Sequence, residues 1–164
     1  MTPTLERIQE FLTANELSSH PGGDGEAIIV PMGLTHCRCD VVIHHDRDTK
    51  MLALMGLVPI TVPSERRAAV AEFLTRLNWN LTGNHFLMDF NDGDVRVRRD
   101  VDGTHPPDLE LLLGNWFYSL CLALDGFFPA LMSVVSRGAN PVQALEQGEA
   151  DYMAVVDGRA KKQR

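Results

Sequence analysis

His85-Phe-Leu-Met-Asp-Phe-Asn-Asp-Gly-Asp-Val-Arg-Val-Arg-Arg-Asp-Val101 is two strands and the turn between them. Asp92-Gly93 is a dipeptide that adopts the left-handed conformations of a tight hairpin turn. Period-two alternation on both sides predicts that Phe86, Met88 and Phe90 face the same layer as Val95, Val97 and Val101. Arg96, Arg98 and Arg99, interleaved with Asp94 and Asp100, then belong to an outward face or edge, where charge protects against mispairing. Upstream, the turn chemistry of His20-Pro-Gly-Gly-Asp-Gly25 leads into Ala27-Ile-Ile-Val30, a β-branched strand that Pro31 should stop. Cys37, Cys39, Val41 and Ile43 alternate with His36, Arg38, Asp40 and His44, the pattern of a half-buried strand. After the polar turn His45–Thr49, Met51-Leu-Ala-Leu-Met-Gly-Leu57 is apolar on both faces and is predicted to be central. Strands in consecutive runs joined by short turns imply antiparallel pairing, not βαβ crossovers.

The remaining periodic segments are helical. Leu5, Ile8, Phe11 and Leu12 mark an amphipathic helix over residues 3–14, with Pro3 in its first turn. Val70, Phe73, Leu74, Leu77 and Leu81 mark a second, predicted to be capped by Ser64 and ended by Gly83. Leu109, Leu113, Trp116, Leu120, Leu124, Phe127, Leu131 and Val134 trace one stripe along a long helix that follows Pro106-Pro107, with Gly126 or Pro129 expected to kink it. Pro141 opens a short last helix to Glu146. The expected class is α+β, a five-stranded antiparallel sheet in the order α-β-β-β-α-β-β-α. One domain, residues 1–148, is expected, followed by a C-terminal tail over 149–164. Arg159–Arg164 hold four cations and no apolar side chain larger than alanine, a composition predicted to be mobile.

With 164 residues and 45% apolar content, the chain can bury one core of ordinary size. A net charge of −7 argues against nucleic acid or an anionic membrane as partner. Asp125 and Gly126 interrupt the longest apolar region, Leu109 to Val135, so no membrane span is expected. The start Met-Thr-Pro-Thr-Leu-Glu-Arg lacks the apolar segment of a signal peptide. Cys37, Cys39 and Cys121 are an odd number of thiols, consistent with a reducing, cytoplasmic setting without disulfides.

Val62-Pro-Ser-Glu-Arg-Arg-Ala-Ala-Val-Ala-Glu-Phe-Leu-Thr-Arg-Leu-Asn78, followed by Gly83-Asn-His-Phe-Leu-Met-Asp-Phe-Asn-Asp-Gly-Asp-Val-Arg-Val-Arg98, resembles the YbjN family of bacterial proteins. The helix from Leu109 to Ala130, with Asp125 and Pro129, resembles that family's closing helix. The resemblance runs from about residue 62 to residue 135. It implies a fold like that of type III secretion chaperones, with helices on one face of a twisted antiparallel sheet, often as a homodimer. It also implies a regulatory role in sensory transduction and brings no catalytic signature.

Several constellations of side chains bear on chemistry. His36, Cys37, Cys39, His44 and His45 form the densest set of potential zinc ligands, yet strand alternation sends Cys37 and Cys39 to one face and His36 and His44 to the other. No metal or cofactor is therefore expected. Asp89–Asp94 lacks the spacing and the closing glutamate of a calcium loop. Trp79, at the end of the second helix, and Arg96 and Arg98 are candidate partner-binding residues. Trp116, Phe117 and Tyr118 cannot all be buried by one sheet; Trp116 is assigned to the core, and Phe117 and Tyr118 to an oligomer or partner surface. The expected function is a non-enzymatic protein-binding module. A small-molecule sensor would need a closed apolar pocket, and an enzyme would need a perturbed acid or base in a cleft.

Overall fold

In a computed structural model the described residues are 1–23, 25–104 and 108–160, without the side chains of 158–160. Asp24 of the first turn, Pro106-Pro107 and the last four residues of the predicted tail lie outside them. The elements are α1 (Pro3–Ala14), β1 (His20–Pro21), β2 (Ala27–Gly33), β3 (Arg38–His45), β4 (Met51–Thr61), α2 (Arg67–Asn80), β5 (His85–Met88), β6 (Asp94–Asp102), α3 (Tyr118–Arg137) and α4 (Pro141–Ala160). A 3-10 turn over Ser64–Arg66 precedes α2, and a π-helical segment over Glu110–Phe117 runs directly into α3.

The class is α+β as expected, but among the described residues the antiparallel sheet has six strands, ordered β1-β2-β3-β4-β6-β5. The extra strand is His20–Pro21, read from its composition as part of a turn; it pairs with Ile28 and Ile29. Pro31 does not stop β2, which continues to Gly33 opposite Arg38. β4 is central, between β3 and β6. The register puts Ile28, Ile43 and Leu54 in one cross-strand row, and Val30, Val41, Gly56, Val97 and Phe86 in another. These side chains, glycine aside, are 0–3% exposed and define the inner face.

α3 lies on that face. Leu120, Leu124, Phe127, Leu131 and Val134 are 0–2% exposed, and each such side chain contributes roughly 1.5–3 kcal/mol on burial. Close approach depends on Gly56: a Cβ there would stand 2.9 Å from both Leu120 Cδ2 and Leu124 Cδ1. The helix continues through Pro129. Gly126 answers to a neighbour, since a Cβ there would meet Tyr152 Cδ2 at 2.7 Å, and one at Gly148 would meet Ala130 Cβ at 2.8 Å. α3 and α4 thus cross through two glycines, and Tyr152 stacks on Phe127 with ring centroids 5.0 Å apart. The helix expected to end at Glu146 therefore runs to Ala160, through the first part of what composition suggested was a tail.

Other details also depart from expectation. Ser64 does not cap α2; its hydroxyl donates to Glu65 Oε2. α2 ends at Asn80, ahead of Gly83. The β5–β6 turn is bracketed by the Asp89 N–H donating to the Asp94 carbonyl and the Gly93 N–H donating to the Asp89 carbonyl. Gly93 alone has the positive φ, +84°, within this turn, and a Cβ there would collide with the Val62 carbonyl. The wider turn throws Phe90 out of the predicted layer, to 59% exposure, while Phe86 and Val97 stay opposite one another.

Candidate functional site

Among the described residues no helix covers the other face of the sheet. Its middle row, by register, is Ile29, Val42, Met55, Arg98 and His85, and the next is Leu57, Arg96 and Leu87. Ile29, Val42, Met55 and Leu57 are half-buried by their neighbours alone; Leu87 is 45% exposed, and Phe90 stands beside it. This is an apolar stripe across three strands, β2 to β4, with Leu87 and Phe90 beyond the arginines of β6, and not the charged surface an antiparallel sheet ordinarily turns to water. Arg96 and Arg98 flank it as expected. Arg96 Nε is 2.6 Å from Asp94 Oδ2 and Arg98 Nε 2.9 Å from Asp100 Oδ1. Such exposed pairs hold side-chain geometry at a gain of about 0–1 kcal/mol each. Two shallow depressions lie along the stripe. One is lined by Met55, Leu87, Phe90, Arg96 and Arg98, the other by His44, Met51, Ala53, Met55 and Arg98.

Both edges of the sheet are occupied over part of their length. The Asn78 side chain receives the Phe86 N–H at Oδ1 and donates from Nδ2 to the Phe86 carbonyl, both at 2.8 Å, so an amide from α2 takes the place of a neighbouring strand along β5. Arg67 continues this cover, donating to the Phe90 and Val62 carbonyls. At the far edge β1 is two residues long and ends in Pro21. Short, capped edges of this kind resist strand addition. Sequence reasoning missed this role of Asn78; the signal for it is a position one helical turn before the chain reverses into β5.

The other predicted residues scatter. Trp79 is 88% exposed, on the helical side of the molecule, beside Val142 and Leu145 of α4. Phe117 is 5% exposed and belongs to the core, so it offers no surface, while Trp116 is only half-buried and Tyr118 is 37% exposed. The π-helical segment winds with more residues per turn than an α-helix, and the resulting shift in side-chain phase exchanges the roles expected for Trp116 and Phe117. Arg99 does not point outward: its register partner is Leu54 on the inner face. Its Nε donates to Asn84 Oδ1 at 3.0 Å, and its guanidinium lies 5.9 Å from the centre of the Trp116 ring. Sequence reasoning missed Asn84, 5% exposed, which joins this network.

His36 also moves from its predicted face. It precedes β3 and turns toward α3, where its N–H donates to Asp125 Oδ1 at 2.8 Å and its Nδ1–H to the Asp125 carbonyl at 3.0 Å. Asp125 is 0% exposed, and its Oδ2 has no partner among the described residues. Burial, then the Asp125 carboxylate, raises the Cys37 thiol to about 11; burial, then Cys37, raises Cys39 to about 12. Thiols held that high are poor nucleophiles at neutral pH. Among the described residues no group of three His, Cys, Asp or Glu side chains could hold a metal ion. The helical stretch Glu110–Arg137 is long and apolar enough to cross a membrane by composition, yet here it is the central element of the core, lying against β4 and β6.

The fold and this surface define an α+β protein with helices on one side of an antiparallel sheet and a half-apolar open face on the other. The chain belongs to the YbjN family: the family model, described as "Putative bacterial sensory transduction regulator", matches residues 4–131. That span begins in α1 and ends in α3, well upstream of where the resemblance was legible. Comparison with curated proteins gives no match.

Proposed function

We propose that the chain is a non-enzymatic regulatory module that binds a protein partner on the open face of its sheet. The observation that supports this reading most is the combination of a cross-strand apolar stripe, Ile29, Val42, Met55 and Leu57, with two edges already occupied. A partner that added a strand would have to displace Asn78, whereas one that laid an amphipathic helix over the stripe would displace only water. Arg96 and Arg98 would then meet acidic residues on its rim, and desolvation of the stripe would supply the affinity.

This reading extends the family's description as a regulator, and the analogy with secretion chaperones is part of it. A homodimer and a cytoplasmic setting belong to the same proposal. Trp79 with Val142 forms a second exposed apolar patch on the opposite side, which suits self-association while leaving the sheet free. Light scattering coupled to size exclusion, across a tenfold dilution, is expected to give twice the 18.2 kDa chain mass, and Trp79→Asp to give the monomer. A monomer in the unmodified protein removes the dimer from the proposal.

Partner binding is tested by using the protein and a Met55→Asp/Leu57→Asp variant as paired baits. Both positions face out of the sheet but are half-buried on the central strand, so the variant is expected to unfold a few degrees lower while staying folded at the temperature of the assay. It should also lose the recovered protein, with affinity reduced about 100-fold or more, the scale of two anchors at about 1.5–2 kcal/mol each. Equal recovery by both baits, or co-purification of a metabolite and no protein, rejects the reading; the latter outcome favours the small-molecule sensor.

A further inference from the structure

His45 ends β3 on the inner face, 7% exposed and opposite Leu52. Its Nδ1 is 2.9 Å from Thr2 Oγ1, and that same hydroxyl accepts the Leu5 N–H as the N-cap of α1. Its Nε2 is buried without a hydrogen-bond partner among the described residues. One hydroxyl therefore serves both the cap of a helix and a buried imidazole. The helix it starts rests on the rest of the molecule through Leu5, Ile8 and Leu12, each 0% exposed.

We propose that Thr2 and His45 form an acid-sensitive latch: with the imidazole neutral α1 stays closed over the end of the sheet, and protonation of the imidazole opens it. The chemistry holds for either neutral tautomer. Where Nδ1 is the acceptor, the Thr2 hydroxyl donates to it while taking the Leu5 N–H. A proton added at Nδ1 then leaves that oxygen facing two donors, with its own hydrogen turned away. Where Nδ1–H is the donor, the added proton goes to Nε2, which has no acceptor. Both routes leave a buried cation without the partners it requires.

The surroundings do not compensate. Burial first, then Lys50 and His44, hold the His45 pKa below its ordinary value, and Arg47 adds to them. Asp46 acts the other way, but its Oδ1 is already occupied by the N–H groups of Asp48 and Thr49. Glu26, whose carbonyl accepts the His45 N–H, has its carboxylate on Arg47 at 2.9 Å. β4 presents Leu52, and the first-turn acid of α1, Glu6, is exposed. A released imidazole titrates near pH 6.5 and the docked one lower. The latch is therefore fully effective above about pH 6.5 and weakens as pH falls through that value toward the docked pKa. Opening uncovers the apolar surface under Leu5, Ile8 and Leu12 and leaves the outer face unchanged.

Amide hydrogen exchange at pH 7.5 and 5.5, corrected for intrinsic rates, reads the latch directly. Between pH 7.5 and 5.5 protection over α1 is expected to fall by up to about tenfold relative to β4 and β6, the limit set by an undocked imidazole that titrates about one unit above the lower pH. His45→Gln keeps a donor and an acceptor but does not titrate, and should abolish the difference. Equal protection at both pH values in the unmodified protein, or the same acid loss in His45→Gln, overturns the proposal. Should the variant not fold, the His45 ring resonances of the unmodified protein decide: a titration midpoint below 6.5 supports the latch, and one at or above it overturns it.

Discussion

Asn78→Leu is expected to lower the stability of the protein by about 2–4 kcal/mol, because it leaves two backbone groups of Phe86 unpaired at a half-buried edge, each at about 1–3 kcal/mol. The distances, 2.8 Å for both hydrogen bonds, are those of well-formed pairs. Asn78→Asp keeps the acceptor for the Phe86 N–H but loses the donor to its carbonyl, and should cost roughly half as much. Urea unfolding of the three proteins gives the ranking. The leucine variant has a second expected phenotype: with the amide gone, β5 presents a free edge, and concentration-dependent association with intermolecular β-structure should appear in the infrared amide band. An Asn78→Leu protein as stable and as monodisperse as its parent would show that the side-chain amide is incidental to the edge.

Gly56→Val is expected to cost about 3 kcal/mol or more, at the upper end for overpacking. Even the first carbon of the new side chain would be within 2.9 Å of Leu120 and Leu124, both already fully buried, and the rest would have to lift α3 from β4. Gly33→Ala is the control in the same sheet. Nothing stands within 4 Å of a Cβ there, so the change should lie within about 0.5 kcal/mol of neutral. Leu120→Ala, destabilising alone, should recover part of the loss when combined with Gly56→Val, a non-additivity diagnostic of shared space. Strict additivity of the two would mean that the helix does not sit on that glycine.

The parts of this fold legible in the sequence are those where periodicity and burial coincide. The stripe from Leu120 to Val134 and the alternation of Val41 with Ile43 both name the inner face, and the doubly apolar run of β4 names the central strand. Legibility failed where a contact is made by what a residue lacks. Gly126, expected to kink α3, and Gly148 are the places where α3 and α4 touch, and α4 has no apolar stripe of its own to betray its length. The π-helical turns shift the phase of Trp116, Phe117 and Tyr118, a change that no residue type in Glu110–Phe117 announces. For the candidate site, Arg96 and Arg98 were legible as an outward face, but the apolar stripe between them was not. Ile29, Val42 and Met55 come from three strands, and only the register brings them into one row.

The order in which the ribosome delivers this chain follows from the sheet and its cover. β1 to β4 are complete once Thr61 has been made, and their hairpins need no later residue to pair. The helix that packs on β4 and β6 and fills the space at Gly56 ends at Arg137. At the usual synthesis rate of about 5–20 residues/s, the nascent meander would carry an apolar inner face covered only by α1 for roughly 4–15 s. Until α3 emerges, the part of that sheet around Gly56 stays open to water, whatever the finished protein goes on to bind.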